Sequence, residues 1–282
     1  MAAASTSVRQ YEVRNGRNRC HLIPYIGNKS GFSDIFDDLV PDDAGGGKIV
    51  DVFGGSGAFA IYCCFRFGSD NVVYNDNNPV LANFMTFVRD DVAGLLGEYE
   101  RHRSMSSPDY FLGVRTESLT DGLRGAGRFL YLAKNAFSGK IRFNKKNKFN
   151  APMRKSTGCP SLSEERLRAI SDAVSRMVIT NKNFEEFQDI RDAFLYLDPP
   201  YMNNTNAHYN GVPATDSFAR FVRATTLHNR VMISEQNEPD AIGIPGSYRI
   251  YRIALRRSLQ YVTQRESAEI IAINYDPHER TI

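Results

Sequence analysis

With 282 residues, 42% of them hydrophobic, and a net charge of +3, the chain can bury one sizeable core, or a core with an added lobe. No run of about 18 apolar residues occurs, which excludes a membrane-spanning helix, and the start, MAAASTSVRQYEVRNGRNRC, lacks the apolar centre of a secretory signal. Four cysteines (Cys20, Cys63, Cys64, Cys159) form no C-x-x-C pair, which argues against a zinc site or a disulfide framework and fits a reducing, cytoplasmic setting, or a host-cell interior for a viral protein.

In chain order, residues 1–21 are Arg-rich and acid-poor and read as a flexible basic tail, with a transit peptide as the alternative. GGGKIVDVFGGSGAFAIYCCFRFG follows as strand, glycine-rich turn and helix, the helix ended by Gly68. NVVYND predicts a second strand and PVLANFMTFV a second helix, with Pro79 in its first turn. This rhythm implies an α/β fold with a mostly parallel sheet. It stops over 91–160, an irregular, polar and finally basic stretch with one predicted helix at GRFLYLAKNAF. The segment keeps its aromatics and so reads as an inserted lobe, not a linker.

From Lys134 to Lys155 that lobe carries eight Lys/Arg and no acid; taking +8 from +3 leaves the rest of the chain at about −5. Phe137, Phe143 and Phe149 interleave with the charge, a pattern that suits nucleic acid better than a solvated loop. The α/β rhythm then resumes. SEERLRAISDAVSR predicts a helix opened by Ser163, MVITN, AFLYLD and RVMIS predict strands, and SFARFVRATTL a helix. The last segment, 247–275, holds two alternating runs joined by a polar turn, an antiparallel hairpin at one end of the sheet. Residues 22–90 plus 161–282 therefore form one α/β domain, interrupted by the lobe.

Three features fall at predicted carboxyl ends of strands, where open α/β sheets bind ligands. DVFGGSG, holding Asp51, Phe53, Gly55 and Gly57, lets the backbone approach a ligand, but it lacks a third dinucleotide-type glycine and a P-loop lysine; a plain tight turn fits it too. Asp76 in VVYNDNNP suits the hydroxyls of a ribose or, with its neighbours, the N-cap of the next helix. Asp198-Pro199-Pro200-Tyr201 ends a buried strand with an acid, two positions without N–H groups, and an aromatic. A β-turn would account for it. So would a rigid acceptor rim for a planar group bearing an NH2.

PYIGNK early, DVFGGSG next and DPPY late, with a basic lobe between the last two, make the chain resemble the Dam-type DNA adenine-N6 methyltransferases of bacteria and their phages, over about Leu22 to Tyr275. The resemblance implies a Rossmann-like fold with an inserted DNA-recognition lobe. It also implies S-adenosylmethionine as cofactor, duplex DNA as partner, and no metal. Its implied cofactor site comprises Tyr25, Lys29, Asp51, Phe53, Gly55, Gly57, Asp76, Asn183, Phe184 and Asp198. Asp198, Pro199, Pro200 and Tyr201 match the catalytic loop. Phe137, Ser138, Lys140, Arg142, Asn144, Lys145, Lys146 and Lys148, with Ser258 and Arg265 of the last hairpin, match positions that meet DNA; Glu269 falls in the same hairpin. Some relatives carry Asn at the position of Ser138, which bears on the target sequence and not on the chemistry.

On this reading Asp198 and the Pro199 carbonyl accept the hydrogens of a flipped-out adenine amine, and Tyr201 stacks on the base. Phe137 fills the gap in the duplex, Arg142 reads a guanine edge, and the lysines bind phosphate. Cytosine-N4 methylation is the nearest alternative. A non-catalytic DNA-binding subunit is another, opposed by the full set Tyr25, Lys29, Asp76, Asp198 and Tyr201. Glutamine-amide methylation would favour Asn at position 198, and a nicotinamide oxidoreductase does not explain Pro-Pro-Tyr. A monomer or weak dimer is expected, with a cognate restriction endonuclease as an optional partner.

Overall fold

The computed structural model describes residues 6–8, 20–25, 27–118, 121–144, 148–155, 158–200, 215–235, 243–245, 247–255 and 267–278. Among these residues eight strands run in chain order: β1 (Thr6–Val8), β2 (Lys48–Asp51), β3 (Val72–Asn75), β4 (Val178–Thr180), β5 (Ala193–Leu197), β6 (Arg230–Glu235), β7 (Arg249–Leu255) and β8 (Ser267–Ile273). They join in one sheet of order β1-β7-β8-β6-β5-β2-β3-β4. The pairs from β6 through β5, β2 and β3 to β4 are parallel. β8 is antiparallel to both β6 and β7, so the predicted hairpin closes one side of the sheet with its second strand inside its first.

One expectation is corrected at this edge. Thr6–Val8, placed in a flexible tail, instead pairs in parallel with β7. An edge strand needs only backbone groups to extend a sheet, and so leaves little pattern in its side chains.

The α-helices among the described residues are α1 (Ser33–Leu39), α2 (Ala58–Phe67), α3 (Pro79–Asp90), α4 (Val92–Ser104), α5 (Pro108–Thr116), α6 (Gly122–Asn135), α7 (Glu164–Ala173) and α8 (Thr215–Thr226). Because the parallel strands are covered on both faces, all of β5, AFLYL, is buried. Its residues divide by period two: Phe194 and Tyr196 join the core beneath α1–α3, while Leu195 and Leu197 join the core against α8. Turn chemistry sets the helix starts. Asn78 Oδ1 accepts from Val80 N (3.0 Å) with Pro79 behind it, and Asp91 Oδ1 accepts from Gly94 N (2.9 Å).

The inserted stretch is more regular than the sequence suggested, holding α4, α5 and α6. In α4 the buried residues are Leu95, Tyr99 and His102, one helical stripe diluted by glycines and charges. These helices share the core of the α/β body: Leu95, Tyr99, Phe111 and Phe129 lie in one apolar cluster with Phe36, Phe59 and Phe84. Among the described residues no helix is long and apolar enough to cross a membrane.

Candidate active site

Strand register brings the three sequence features together. Asp51 on β2 lies opposite Tyr74 on β3 and Tyr196 on β5. Two residues further along the chain from each tyrosine, just past the ends of the strands that flank β2, come Asp76 and Asp198. They stand on either side of the point where the β2 chain leaves the sheet as the glycine-rich loop. A cavity of about 380 Å³ opens there, lined among others by Tyr25, Lys29, Phe53, Asp76, Phe184 and Asp198. Phe59 and Tyr196, which also line it, stack at 4.1 Å between ring centroids.

The loop is held from below. Asp76 Oδ2 accepts from Gly55 N and its Oδ1 from Asn78 N, each at 2.8 Å, so one carboxylate both supports the loop and organises the start of α3. Asp76 thus lines the cavity and also organises the helix start, while Asn78 is the N-cap itself. The Tyr74 hydroxyl donates to Gly55 O (2.9 Å), and its ring fills the space beside Gly54, where a Cβ would come within 2.2 Å of Cε2. Gly57, at φ +79°, turns the chain into α2 but does not line the cavity. Substituting Gly54 by alanine should lower stability by roughly 1–3 kcal/mol, as overpacking a buried ring does, read as a fall in the urea midpoint at unchanged slope.

Asp51 Oδ2 accepts from Ala60 N (3.2 Å) in the first turn of α2. Its Oδ1 is buried without a hydrogen-bond partner among the described residues. Burial first, then the charge of Asp198, raises the Asp51 carboxyl well above its ordinary range. Burial also raises Asp76 to about 6, opposed by the donors Asn78 N and Gly55 N.

Asp198 is partly buried, its side chain 19% exposed, and Lys29 Nζ donates to both of its oxygens, at 2.9 and 3.0 Å. Nζ also donates to Gly27 O (3.1 Å) and lies 3.6 Å from Glu269 Oε2. Lys29 thus touches the predicted catalytic acid directly, a contact absent from its expected part as a cofactor-site lysine. Burial raises the Asp198 carboxyl to about 6; Lys29 opposes this and Glu269 adds to it.

Of the NKNF pair, Phe184 enters the cavity and meets Phe53 at 5.6 Å between centroids. Asn183 does not line it: its side chain accepts from Glu185 N and caps the turn Phe184–Phe187. Pro199 and Pro200 line the rim. Tyr201, Lys145, Lys146, Ser258 and Arg265 lie outside the described residues.

The basic segment folds back on itself. Asn144 N donates to Lys148 O, and Asn150 N to Arg142 O, each at 2.9 Å, while Phe137 N donates to Pro152 O at 2.8 Å. Phe137 is 42% exposed, and beside it Ser138 takes a left-handed φ of 52°. Lys140 and Arg142 are partly exposed and Lys148 is exposed. Asn144 Oδ1 accepts from Lys148 N (3.0 Å), holding the turn. Phe143 and Phe149 correct the reading of the interleaved aromatics. Both are buried and packed edge to face, and Phe143 reaches the cavity. They anchor the segment to the core, because alternate residues of an extended arm face inward.

Asn75 escaped the sequence reading. Fully buried, it donates to Val52 O and Lys182 O and accepts from Thr180 Oγ1 and Lys182 N, tying the ends of β2, β3 and β4 together. A buried Asn at the end of an apolar strand was the available signal.

Comparison with known proteins agrees with this geometry. The model of the D12 class N6 adenine-specific DNA methyltransferases matches residues 25–242. A type II methyltransferase of Lactococcus lactis subsp. cremoris, M1.LlaDCHI, is 25% identical over 233 residues, 75% of this chain and 82% of its own length. Another, M.MjaIII of Methanocaldococcus jannaschii, is 23% identical over 90% of this chain and 98% of its own. A DNA adenine methylase of Haemophilus influenzae is 27% identical over 64% and 63%. Among solved structures, the rRNA methyltransferase aviRa from Streptomyces viridochromogenes covers 86% of this chain and 82% of its own at TM-score 0.34 and 15% identity, too loose a likeness to bear on function. The glycine loop, the two flanking carboxylates and the match over 25–242 place the chain in one family: it belongs to the D12 class N6 adenine-specific DNA methyltransferases.

Proposed function

We propose that this chain transfers a methyl group from S-adenosylmethionine to the N6 amine of an adenine extruded from duplex DNA, with Asp198 as the acceptor for that amine. The observation that carries the reading is the placement of Asp76 and Asp198 on either side of one cavity, with the glycine loop between them.

The residues present fit the cofactor. Small-molecule sites run to roughly 300–1,000 Å³, and this cavity, at about 380 Å³, lies at the lower end. Phe53 and Phe184 offer faces to an adenine ring, and Asp76 keeps lone pairs for ribose hydroxyls beyond the two N–H groups it already accepts. The unpartnered Asp51 Oδ1 is a buried polar atom that a polar ligand group would satisfy. Held by Asp76 and faced by Phe53 and Phe184, S-adenosylmethionine would supply an electrophilic methyl carbon, with its sulfur as the leaving group that keeps the bonding pair. Asp198 and the Pro199 carbonyl hold the amine's hydrogens, which localises the nitrogen lone pair. Asp198 stabilises the positive charge that develops on that nitrogen and takes the proton it sheds. With its carboxyl near 6, Asp198 is ionised at neutral pH and returns that proton to solvent.

Residues 91–160 serve as the recognition unit. Exposed Phe137 is placed to enter the duplex where the base leaves, at the cost of a few kcal/mol of unstacking. Arg142→Ala is expected to relax base preference at one position, by about 1–3 kcal/mol of discrimination. Lys148→Ala is expected to weaken all duplexes alike and lower the salt slope by about 1. Binding titrations at several salt concentrations on a panel of duplexes check both.

The function is tested by incubating the protein with duplex DNA and methyl-labelled S-adenosylmethionine, then separating the nucleosides. N6-methyldeoxyadenosine is expected. Label in N4-methyldeoxycytidine, or none in DNA, overturns the proposal.

A further inference from the structure

The ion pair at the centre of the site poses a problem for the chemistry. A carboxylate stabilises a developing cation only with charge that nothing else has neutralised. Yet Asp198 gives both oxygens to Lys29 Nζ, at 2.9 and 3.0 Å. Lys29 is 4% exposed, so its ammonium cannot simply turn out to water. An amine arriving at Asp198 finds lone pairs still open on both oxygens, but a charge already neutralised by a buried cation, which can draw away only if another counter-charge is close.

One is close. Glu269 on β8, 5% exposed, places Oε2 3.6 Å from the same Nζ. That is ion-pair range, but longer than a good hydrogen bond. Lys29 thus sits between two carboxylates, tightly on one and loosely on the other, and less than an ångström of travel exchanges them. Among the described residues Nζ also meets the Gly27 carbonyl and lies 5.6 Å from the centre of the Phe32 ring. The trio carries two negative charges and one positive, so once Glu269 holds Lys29, Asp198 keeps a full negative charge for the substrate.

We infer that Glu269 is a positioning residue for methyl transfer: it takes the Lys29 ammonium when Asp198 turns its oxygens to the substrate amine. This rests on the reading of Asp198 as the amine acceptor. No covalent bond changes in the exchange; one hydrogen-bonded cation passes from one carboxylate to the other. Among the described residues, the charged and titratable groups facing Asp198 are Lys29 from the loop before α1, Glu269 from β8, Asp51 from β2 and the Tyr196 hydroxyl on its own strand.

The test compares the full-length protein with Glu269→Gln, the double variant Lys29→Met/Glu269→Gln, and Asp198→Ala, measuring kcat against pH on unmethylated genomic DNA. Glu269→Gln is expected to lower kcat about tenfold or more, less than the roughly 10²–10³-fold of losing a direct transition-state contact, because Lys29 stays on Asp198. It should also move the acid limb of the profile to lower pH, since a like charge has left Asp198. A merely structural loss would lower the rate without moving the limb. In the double variant both extra charges leave together, so its kcat should exceed that of Glu269→Gln. Should the single variant fold poorly, the double variant decides alone. The double variant removes one charge of each sign and so keeps the net charge of the trio, carried by Asp198 alone; a rate within about tenfold of wild type supports the exchange, and a loss as deep as that of Asp198→Ala overturns it. Full kcat with an unmoved limb in Glu269→Gln, or a double variant no faster than the single, overturns the inference while leaving Asp198 in place. A fully active Asp198→Ala removes the reading beneath it instead.

Discussion

Asp198→Ala is expected to lower kcat for methyl transfer by about 10²–10³-fold or more, the usual cost of removing one preorganised group aimed at transition-state charge. The loss should fall on kcat, with little change in binding of S-adenosylmethionine, because the amine is the partner of this carboxylate in the proposed chemistry. The fold should survive. Lys29 would otherwise be left as a buried lone cation, but Glu269 lies 3.6 Å from it and keeps it compensated. Thermal unfolding of the variant separates the two effects, and an Asp198→Ala protein that folds and keeps more than about a tenth of the rate would contradict the role given to Asp198. The same carboxyl sets the pH dependence. Only its ionised form accepts the amine hydrogen, and burial has raised it to about 6. The rate should therefore be flat above about pH 7 and fall tenfold per unit well below 6. A profile flat down to pH 5 would mean that another group accepts the amine.

The second large effect is expected at Asp76. Asp76→Ala removes the acceptor of Gly55 N and Asn78 N, each held at 2.8 Å, and with it the proposed ribose contact. Hydrogen bonds to a charged group contribute about 1.5–3 kcal/mol each. Losing the ribose contact and loosening the loop should then weaken S-adenosylmethionine about 10- to 100-fold or more, measured by calorimetric titration. At saturating cofactor kcat should recover most of its value, the opposite split from Asp198→Ala. If Asp76→Ala instead lost kcat at unchanged cofactor affinity, the two carboxylates would have been assigned the wrong way round.

Much of this arrangement was legible because the signals are local. A strand needs a run of alternating or wholly apolar residues, a helix start needs a cap, and a loop that approaches a ligand needs glycine; KIVDVF, Asn78-Pro79 and Gly54-Gly55 carry those needs in their own neighbourhoods. The acids at positions 76 and 198 were readable for the same reason: each ends an apolar strand where a charge is otherwise out of place. Signals failed where the decisive partner lay elsewhere. Phe143 and Phe149 look like base-stacking residues among lysines, and only the packing of Phe143 on Phe129, and of Phe149 on Phe143, turns them inward. Asn183 looks like a ligand contact until the turn it caps is seen. The helices of the insertion were blurred because their apolar stripes are thin, Leu95, Tyr99 and His102 being all that α4 buries.

By itself, then, the sequence determined the alternation of strands and helices, the glycine loop, the two flanking acids and the rigid Pro-Pro rim, since each depends on residues within a turn or two of itself. Only the tertiary structure decided that β8 inserts between β6 and β7, and that this brings Glu269 to a lysine paired with an acid 169 residues away. Periodicity states which face of a strand is buried. It does not state which strand lies alongside, because that choice is made by the burial of both sheet faces at once and not by any one segment.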